Sequence, residues 1–483
     1  MEPEFPLALT LPAPGSRRLQ RGLHEQLRAA ILDGRLRAGT RLPPTRAFAG
    51  LYGVGRNTAL AIYDALVSEG YLVARGKAGT FVAALAPRSR RHDERAAAQA
   101  SRRRLRIRQH APRVPSPAPA APALRWDFRL GVPDLPLFPA AIWQRLNARA
   151  WRALATKPAA YGAPAGQPAL REAIARHVSF TRAVACSAGD VVVTSGAQQA
   201  FDLLARTLVE PQRTVVALEE PGYPPARAAF AAAGAKLAGV PVDAEGIVVE
   251  RLPETARVIY VTPSHQFPLG PAMSARRRSA LLAFARRHGA VIVEDDYDGE
   301  FRFGGRPLDA LQTLDRDESV FYVGTFSKSL FPALRLGFVI APPWALAALS
   351  AAKQRVDGHC PVVAQDALAA FIDEGHMLRH VRRMRRVYAA RRARLVGTLQ
   401  EQFSPWLELL PGIAGLHLAA LARKRLAVDA LVRRARDAGI GLHPLREYYA
   451  NRGAHQGLIF GYGAIDEASI REALARVRRL LAT

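Results

Sequence analysis

Cysteine is almost missing from this sequence: its 483 residues contain two, Cys186 and Cys360, with no metal-ligand spacing around them. That argues against a disulfide framework and fits a reducing compartment. Long apolar runs are missing too, and none reaches the roughly 18 residues of a membrane span. The opening MEPEFPLALTLPAPG is acidic and proline-broken, unlike a secretory signal. The expectation is a cytoplasmic protein without membrane contact. Internal repeats are lacking. Lysine is scarce as well: of 68 basic residues only six are lysine.

What abounds is positive charge. The formal net charge of +27 favours polyanions such as nucleic acid. An Ala- and Arg-rich composition, which GC-rich coding also produces, accounts for part of it, so distribution says more than the total. Residues 1–123 carry 21 basic and 8 acidic side chains, which places nucleic-acid contact at the N-terminal end. The length suits one small domain plus one large one.

Composition divides the chain into three. Residues 84–123 hold Arg clusters followed by Pro/Ala repeats, with almost no large apolar side chains, and read as a linker. A coil of about 40 residues spans roughly 35 Å. Residues 17–83 are short helices and a hairpin. Leu23, Leu27 and Ile31 mark one helix face ending at Gly34. A short helix begins near Thr45, whose hydroxyl is suited to cap it, and a longer one turns Ile62, Leu66 and Val67 inward before Gly70. YLVARGKAGTFV then reads as two strands around a turn. Two helices joined by a tight turn and followed by a hairpin wing form a winged helix-turn-helix.

Residues 124–483 alternate strand and helix, with strand-like runs at Val191–Thr194, Thr214–Leu218, Arg257–Thr262, Ala290–Glu294, Ser319–Val323 and Leu336–Ile340. The expected fold class is multi-domain: the winged helix plus an α/β domain with a mostly parallel sheet. Residues from about 380 are more helical and are expected to form a small C-terminal subdomain.

The second helix of a helix-turn-helix offers its first residues to base edges in the major groove. Here these are Gly55, Arg56, Asn57 and Thr58. Arg pairs bidentately with guanine, Asn with adenine, and Thr suits phosphate or a thymine methyl. Arg46 is placed to grip phosphate, and Arg75, Gly76 and Lys77 stand at the wing tip. The stretches LHEQLRAAILDGRLRAGTRLPPTRAFA, GVGRNTALAIYDAL and SEGYLVARGKAGTFV resemble the GntR-type winged-helix domain. The resemblance makes Arg46, Arg56, Asn57, Thr58, Gly76 and Lys77 contacts to double-stranded DNA. Gly55 departs from the pattern, which usually has Ser or Thr there.

In so Lys-poor a chain, a lysine is worth weighing as a primary amine, since Arg cannot form a Schiff base. Lys328 lies in VFYVGTFSKSLFPALRLGF, just beyond a strand end, where α/β folds place ligand groups. Thr325 and Ser327 offer hydroxyls, and Arg335 a bidentate phosphate clamp. VVVTSGAQQAFDLLA is strand, turn and helix, so the amides of Gly196, Ala197 and Gln198 form an anion site at a helix N-terminus. EEPGYPPAR offers Tyr223 for stacking on a ring. AVIVEDDYDGEF brings carboxylates and a tyrosine to the same sheet edge, where a carboxylate can hold a pyridine nitrogen protonated. A hard-metal site at EDDYD is the alternative, with no second carboxylate cluster to support it.

This stretch resembles the class I aminotransferases over essentially all of residues 124–483. The whole chain resembles the MocR-type regulators of the GntR superfamily. The resemblance implies the type I fold of pyridoxal 5'-phosphate enzymes, with Lys328 holding that cofactor as a Schiff base. Asp295 would meet the pyridine nitrogen, Tyr297 would contact the phenolic oxygen, and Tyr223 would stack. Gly196, Ala197, Gln198, Thr325, Ser327 and Arg335 would bind phosphate. TPSHQFPLG stands in place of the enzymes' NPxNPTG, so His265 or Gln266 is the substitute for the missing Asn. GLIFGYG puts Leu458 about where aminotransferases keep a substrate-carboxylate Arg, with Arg452 upstream. The expected function is a DNA-binding transcription regulator that senses pyridoxal phosphate or its adduct with a small amino-compound effector, as a homodimer. The alternatives are an active aminotransferase with an appended DNA-binding domain, and a DNA binder that keeps the fold without the cofactor.

Overall fold

The computed structural model describes residues 7, 9–10, 19–84, 124–156, 160–304, 309–424, 426–450 and 455–482. Nearly all of the 84–123 linker, residues 17–18 and Arg452 lie outside these. The chain divides into two compact units, Met1–Arg108 and Gln109–Thr483.

The first unit is a three-helix cluster with a hairpin: α1 (Leu19–Leu32), α2 (Thr45–Leu51), α3 (Arg56–Ser68), β1 (Leu72–Ala74) and β2 (Thr80–Val82). The four-residue spacing of α1 buries Leu23, Leu27 and Ile31 as expected, with Ala30 beside them. They pack with Phe48 of α2, whose ring meets Tyr52 at 4.7 Å and Tyr63 at 5.3 Å. Two local expectations change. In α3 the inward stripe is Ala59, Ile62, Tyr63 and Leu66, and Val67, one position beyond it, is 36% exposed. Thr45 is the first residue inside α2 and not its cap; Pro44 holds the cap position, with no side-chain hydrogen bond. β1 and β2 pair antiparallel, Val73 opposite Phe81. Gly76 (φ 51°) and Gly79 (φ 107°) supply the left-handed backbone that their turn requires.

The second unit begins at β3 (Trp126–Asp127) and centres on an eight-stranded sheet. Its strands are β4 (Val191–Thr194), β5 (Val215–Glu220), β6 (Lys236–Asp243), β7 (Gly246–Ile247), β8 (Ala256–Val261), β9 (Val291–Asp296), β10 (Val320–Thr325) and β11 (Gly337–Ile340). Their order is β4-β11-β10-β9-β8-β5-β6-β7. The pairs from β10 to β6 are parallel, whereas β11 runs antiparallel to both β10 and β4. Alternate residues serve two cores. Val216, Leu218, Val258, Tyr260 and Val293 pack with Phe201 and Leu204 of the helix Ala197–Leu208. Ala217, Ile259, Val261 and Ile292 pack with Leu281 and Ala285 of the helix Ala275–His288. Burial on both faces explains the continuous apolar runs of these strands.

The C-terminal part is less helical than the sequence suggests. After the long helix His376–Phe403 come β12 (Leu407–Leu409), β13 (His417–Ala422), β14 (Ile440–Gly441), β15 (His443–Pro444) and β16 (Gly457–Gly461). Strands β12-β13-β16-β15 form a four-stranded antiparallel sheet, and β14 pairs with β3. The brevity of β12, β14 and β15 hides them from any period-2 pattern.

Candidate functional site

The parallel strands of the large sheet point their C-terminal ends at a cavity of about 330 Å³. Lys328 follows β10 and donates from Nζ to the Gly131 carbonyl at 2.8 Å. A Cβ on Gly131 (φ +63°) would fall 2.5 Å from that nitrogen, so only glycine leaves the amine its place. Burial pushes the Lys328 amine below its ordinary range, opposed by the nearby charges of Asp298 and Asp295.

Asp295, near the end of β9, also lines the cavity. Its Oδ2 accepts a 2.6 Å hydrogen bond from Tyr260, while Oδ1 is buried without a partner. Burial raises this carboxyl to about 7. The other acids of EDDYD face elsewhere. Glu294 accepts from the amides of Leu311 and Gln312, and Asp296 from Arg182 and Tyr322. Asp298 pairs with His265. Carboxylates with such separate partners do not converge on one ion, and the structure favours four local roles over a hard-metal site at EDDYD.

The opposite end of the cavity suits an anion. Gly196 (φ 82°) is the N-cap of the helix Ala197–Leu208, and Ala197 and Gln198 line the cavity. Arg335 donates to the Ser195 carbonyl at 2.7 Å. Its guanidinium lies so close to Gly196 that a Cβ there would be 3.2 Å away. The Thr325 hydroxyl donates to Ser327 at 3.0 Å, and both residues face the same space. Tyr223 meets Phe267 edge-on at 5.2 Å along the cavity wall. A helix N-terminus with an arginine and two hydroxyls fits a phosphate. An unpartnered carboxylate oxygen fits a cationic ring N–H, and a depressed amine fits a carbonyl. The donor set fits pyridoxal phosphate.

On the first unit, Arg56 and Asn57 open α3 exposed, with Thr58 half-buried and Gly55 extended at the cap (φ −62°, ψ 141°). Gly55 makes no side-chain cap bond, and a Cβ there would meet only Thr58 Oγ1, at 3.5 Å. Arg46 and Arg75 are exposed, Arg75 lying 5.1 Å over the Phe81 ring. Gly76 and Lys77 lie in the wing turn.

Residues 19–82 match the gntR family of bacterial regulatory proteins, and residues 129–476 match the aminotransferase class I and II family. Over 95% of its length the chain is 40% identical to a probable rhizopine catabolism regulatory protein, MocR, of Rhizobium meliloti, covering 93% of that protein. The chain belongs to the MocR-type regulators. It is also 32% identical to the pyridoxine biosynthesis regulator PdxR of Corynebacterium glutamicum, over 98% of both chains. Among solved structures, the α-aminoadipate aminotransferase LysN of Thermus thermophilus overlays 75% of this chain and 92% of its own. The TM-score is 0.68 at 30% identity. The large unit therefore has the type I fold of pyridoxal phosphate transferases.

In this MocR-type chain two expected substitutes fall differently. Gln266 is buried, its amide donating to the carbonyls of Pro221 and Phe267, and it does not line the cavity. His265 is buried behind Tyr297, 2.8 Å from its hydroxyl. Leu458 is buried in β16 opposite Ala420 and Pro444, away from the cavity. Among the described residues Arg335 is the arginine that lines the cavity. Gly131, Phe267, His417 and Tyr448 line it too and carry no sequence signal by themselves. The nearest to one is GLH at 415–417, a glycine and a histidine where β13 begins.

Proposed function

We propose that the protein is a transcription regulator whose winged helix binds double-stranded DNA and whose aminotransferase-like unit binds pyridoxal phosphate on Lys328. The observation that carries the cofactor assignment is the unpartnered Oδ1 of Asp295 in the cavity that also holds Lys328. Bound there, pyridoxal phosphate supplies an aldehyde that condenses reversibly with primary amines, on an electron-withdrawing ring. Lys328 offers an amine that burial keeps more readily deprotonated. Asp295 offers a carboxylate to the ring nitrogen, and Tyr260 holds that carboxylate in place. Arg335, the Thr325 and Ser327 hydroxyls and the amides opening the helix at Ala197 bind the phosphate. Tyr223 packs against the ring, and Tyr297 donates to the phenolic oxygen.

DNA reading belongs to Arg56, Asn57, Thr58 and Gly55 at the start of α3, with Arg46, Arg75, Gly76 and Lys77 on the backbone. The domains proposed are 17–83, a linker over 84–123, and 124–483, with a homodimer as the working assembly. A small amino compound that competes with Lys328 for the cofactor is the effector class. The deciding experiment titrates the protein with DNA from its own upstream region, with and without pyridoxal phosphate and candidate amines. Affinity that responds to the cofactor or an amine supports the regulator. DNA affinity indifferent to both, with fast transamination, would establish an enzyme instead.

A further inference from the structure

We propose that His265, held by Asp298, is a positioning residue that donates to the Tyr297 hydroxyl and so keeps its O–H a donor, able to turn from the His265 carbonyl to the cavity. This rests on the cofactor reading above and assigns His265 and Asp298 a part in it.

The geometry is specific. His265 Nδ1 lies 3.0 Å from Asp298 Oδ2 and 2.8 Å from the Tyr297 hydroxyl, which is itself 3.0 Å from the His265 carbonyl oxygen. His265 and Asp298 are 1% and 2% exposed, which withdraws the pair from bulk solvent. A lone pair does not face a carboxylate at that distance, so Nδ1 carries the proton. Nε2 is buried without a partner. The Nδ1–H therefore points at both the Asp298 carboxylate and the Tyr297 oxygen. That oxygen already receives a proton, so its own O–H has to donate. Its choices are the His265 carbonyl or the cavity that Tyr297 lines. Burial and the surrounding carboxylates keep the phenol far above its ordinary pKa, so it stays a donor.

The imidazole has little freedom. A Cβ on Gly415 (φ +80°) would lie 2.1 Å from His265 Cε1 and 2.4 Å from Asp298 Oδ2, so the backbone of this glycine presses on the pair. His417 packs beside it with ring centroids 4.7 Å apart, and burial drives His417 well below its ordinary pKa, leaving it uncharged. His265 thus supplies orientation from behind the cavity wall, held by Asp298, which itself reaches the cavity. It occupies the role left open where TPSHQFPLG lacks the asparagine of NPxNPTG.

The test is a pH titration of the visible band of the full-length, cofactor-loaded protein. A donor to the phenolic oxygen favours the form in which that oxygen keeps its negative charge, and so lowers the midpoint. The other titratable groups that line the cavity, Asp295, Asp298, Tyr223, Arg335, Lys328, His417, Glu447 and Tyr448, stay unchanged in these variants. His265→Leu is expected to raise the midpoint by about one unit, a tenfold change in the protonation equilibrium, in the same direction as Tyr297→Phe. His265→Leu added to Tyr297→Phe should shift it no further, because the histidine acts through the hydroxyl. His265→Asn, whose amide nitrogen falls near Nδ1, should restore the midpoint, and His265→Gln, whose nitrogen falls near Nε2, should not. Should His265→Leu fail to fold, the Asn and Gln variants decide alone. An unchanged midpoint in His265→Leu, additive shifts, or equal rescue by Gln would overturn the proposal. So would a stoichiometric metal ion, since ligand atoms of His265, Asp298 and His417 lie within 4.8 Å of one another. No visible band in the unmodified protein would instead overturn the cofactor reading, and this proposal with it.

Discussion

Tyr260 and Asp295 share a 2.6 Å hydrogen bond that occupies one carboxylate oxygen and leaves the other buried and bare. The bond crosses from β8 to β9, so two neighbouring parallel strands set the direction of the free oxygen. A half-satisfied buried carboxylate is costly by itself, and a cationic N–H in the cavity would offset that cost. Asp295→Asn keeps the shape and the acceptor for Tyr260 but removes the charge. Charge-assisted bonds contribute about 1.5–3 kcal/mol. Pyridoxal phosphate affinity, read from the visible band, should therefore fall roughly 10- to 150-fold. Unchanged affinity in Asp295→Asn would mean that the ring nitrogen is not held there.

Stability should carry the mark of Glu219, another buried acid, which lies outside the cavity. Burial raises its carboxyl to about 7, opposed by hydrogen bonds from Thr262 and Gln266. A raised folded-state pKa means that the folded protein binds the proton more tightly than the unfolded chain. The contribution is full below the unfolded pKa near 4.5 and is lost as pH rises through about 7. Glu219→Gln should therefore gain on the wild type between pH 5 and pH 8, by about 1–3 kcal/mol at about 1.4 kcal/mol per unit. Urea unfolding of the cofactor-free protein at both pH values measures it. A gap that is flat or narrows with pH would show that Glu219 ionises normally.

The sheet was legible where burial on both faces forces apolar runs, as in VVVT of β4 and the VIV that opens β9. β6 was not: its residues are mostly exposed, with Val240 the one buried side chain, and it offers neither a run nor a clean alternation. β12, β14 and β15 span two or three residues, too few for any period. At the site, Lys328 stood out through the rarity of lysine, and Gly196 through its strand–turn–helix context. The pairing of His265 with Asp298 was illegible because 33 residues separate them and only the sheet order brings them together. Gly131 lies 197 residues from the lysine it makes room for.

Recognition of DNA should separate into two kinds of contact. Arg56 and Asn57 are exposed at the head of α3, where base edges are within reach of a docked helix. Arg56→Ala should cost about 1–3 kcal/mol and relax preference at one base pair. Lys77→Ala should weaken all sequences alike and lower the salt slope of log K by about 0.9, one phosphate contact. Binding isotherms on operator and scrambled DNA at several salt concentrations make the comparison. If Arg56→Ala left affinity and preference intact, α3 would not be the reading helix.

Coupling between cofactor and DNA separates a regulator from an enzyme. A ligand shifts DNA affinity only by the difference in its own affinity for the two states of the protein. Pyridoxal phosphate, alone or with a specific primary amine, should change operator affinity by about 5–150-fold, the 1–3 kcal/mol common in such linkage. An amine of the proposed class would compete with Lys328 for the cofactor, so Lys328→Ala should abolish the amine's effect while leaving basal DNA binding. Linkage also demands the reverse: saturating operator DNA must change the affinity for the same ligand by the same factor. Measuring both directions guards against ligands that merely stabilise the large unit, which would raise its melting temperature without moving either affinity. Turnover of common amino acid and keto acid pairs should be slow. Among the described residues the one arginine lining the cavity is Arg335, at the phosphate end, and no second one there faces a substrate carboxylate. Equal operator affinity with and without every cofactor and amine combination, beside rapid transamination, would assign the chain to catalysis.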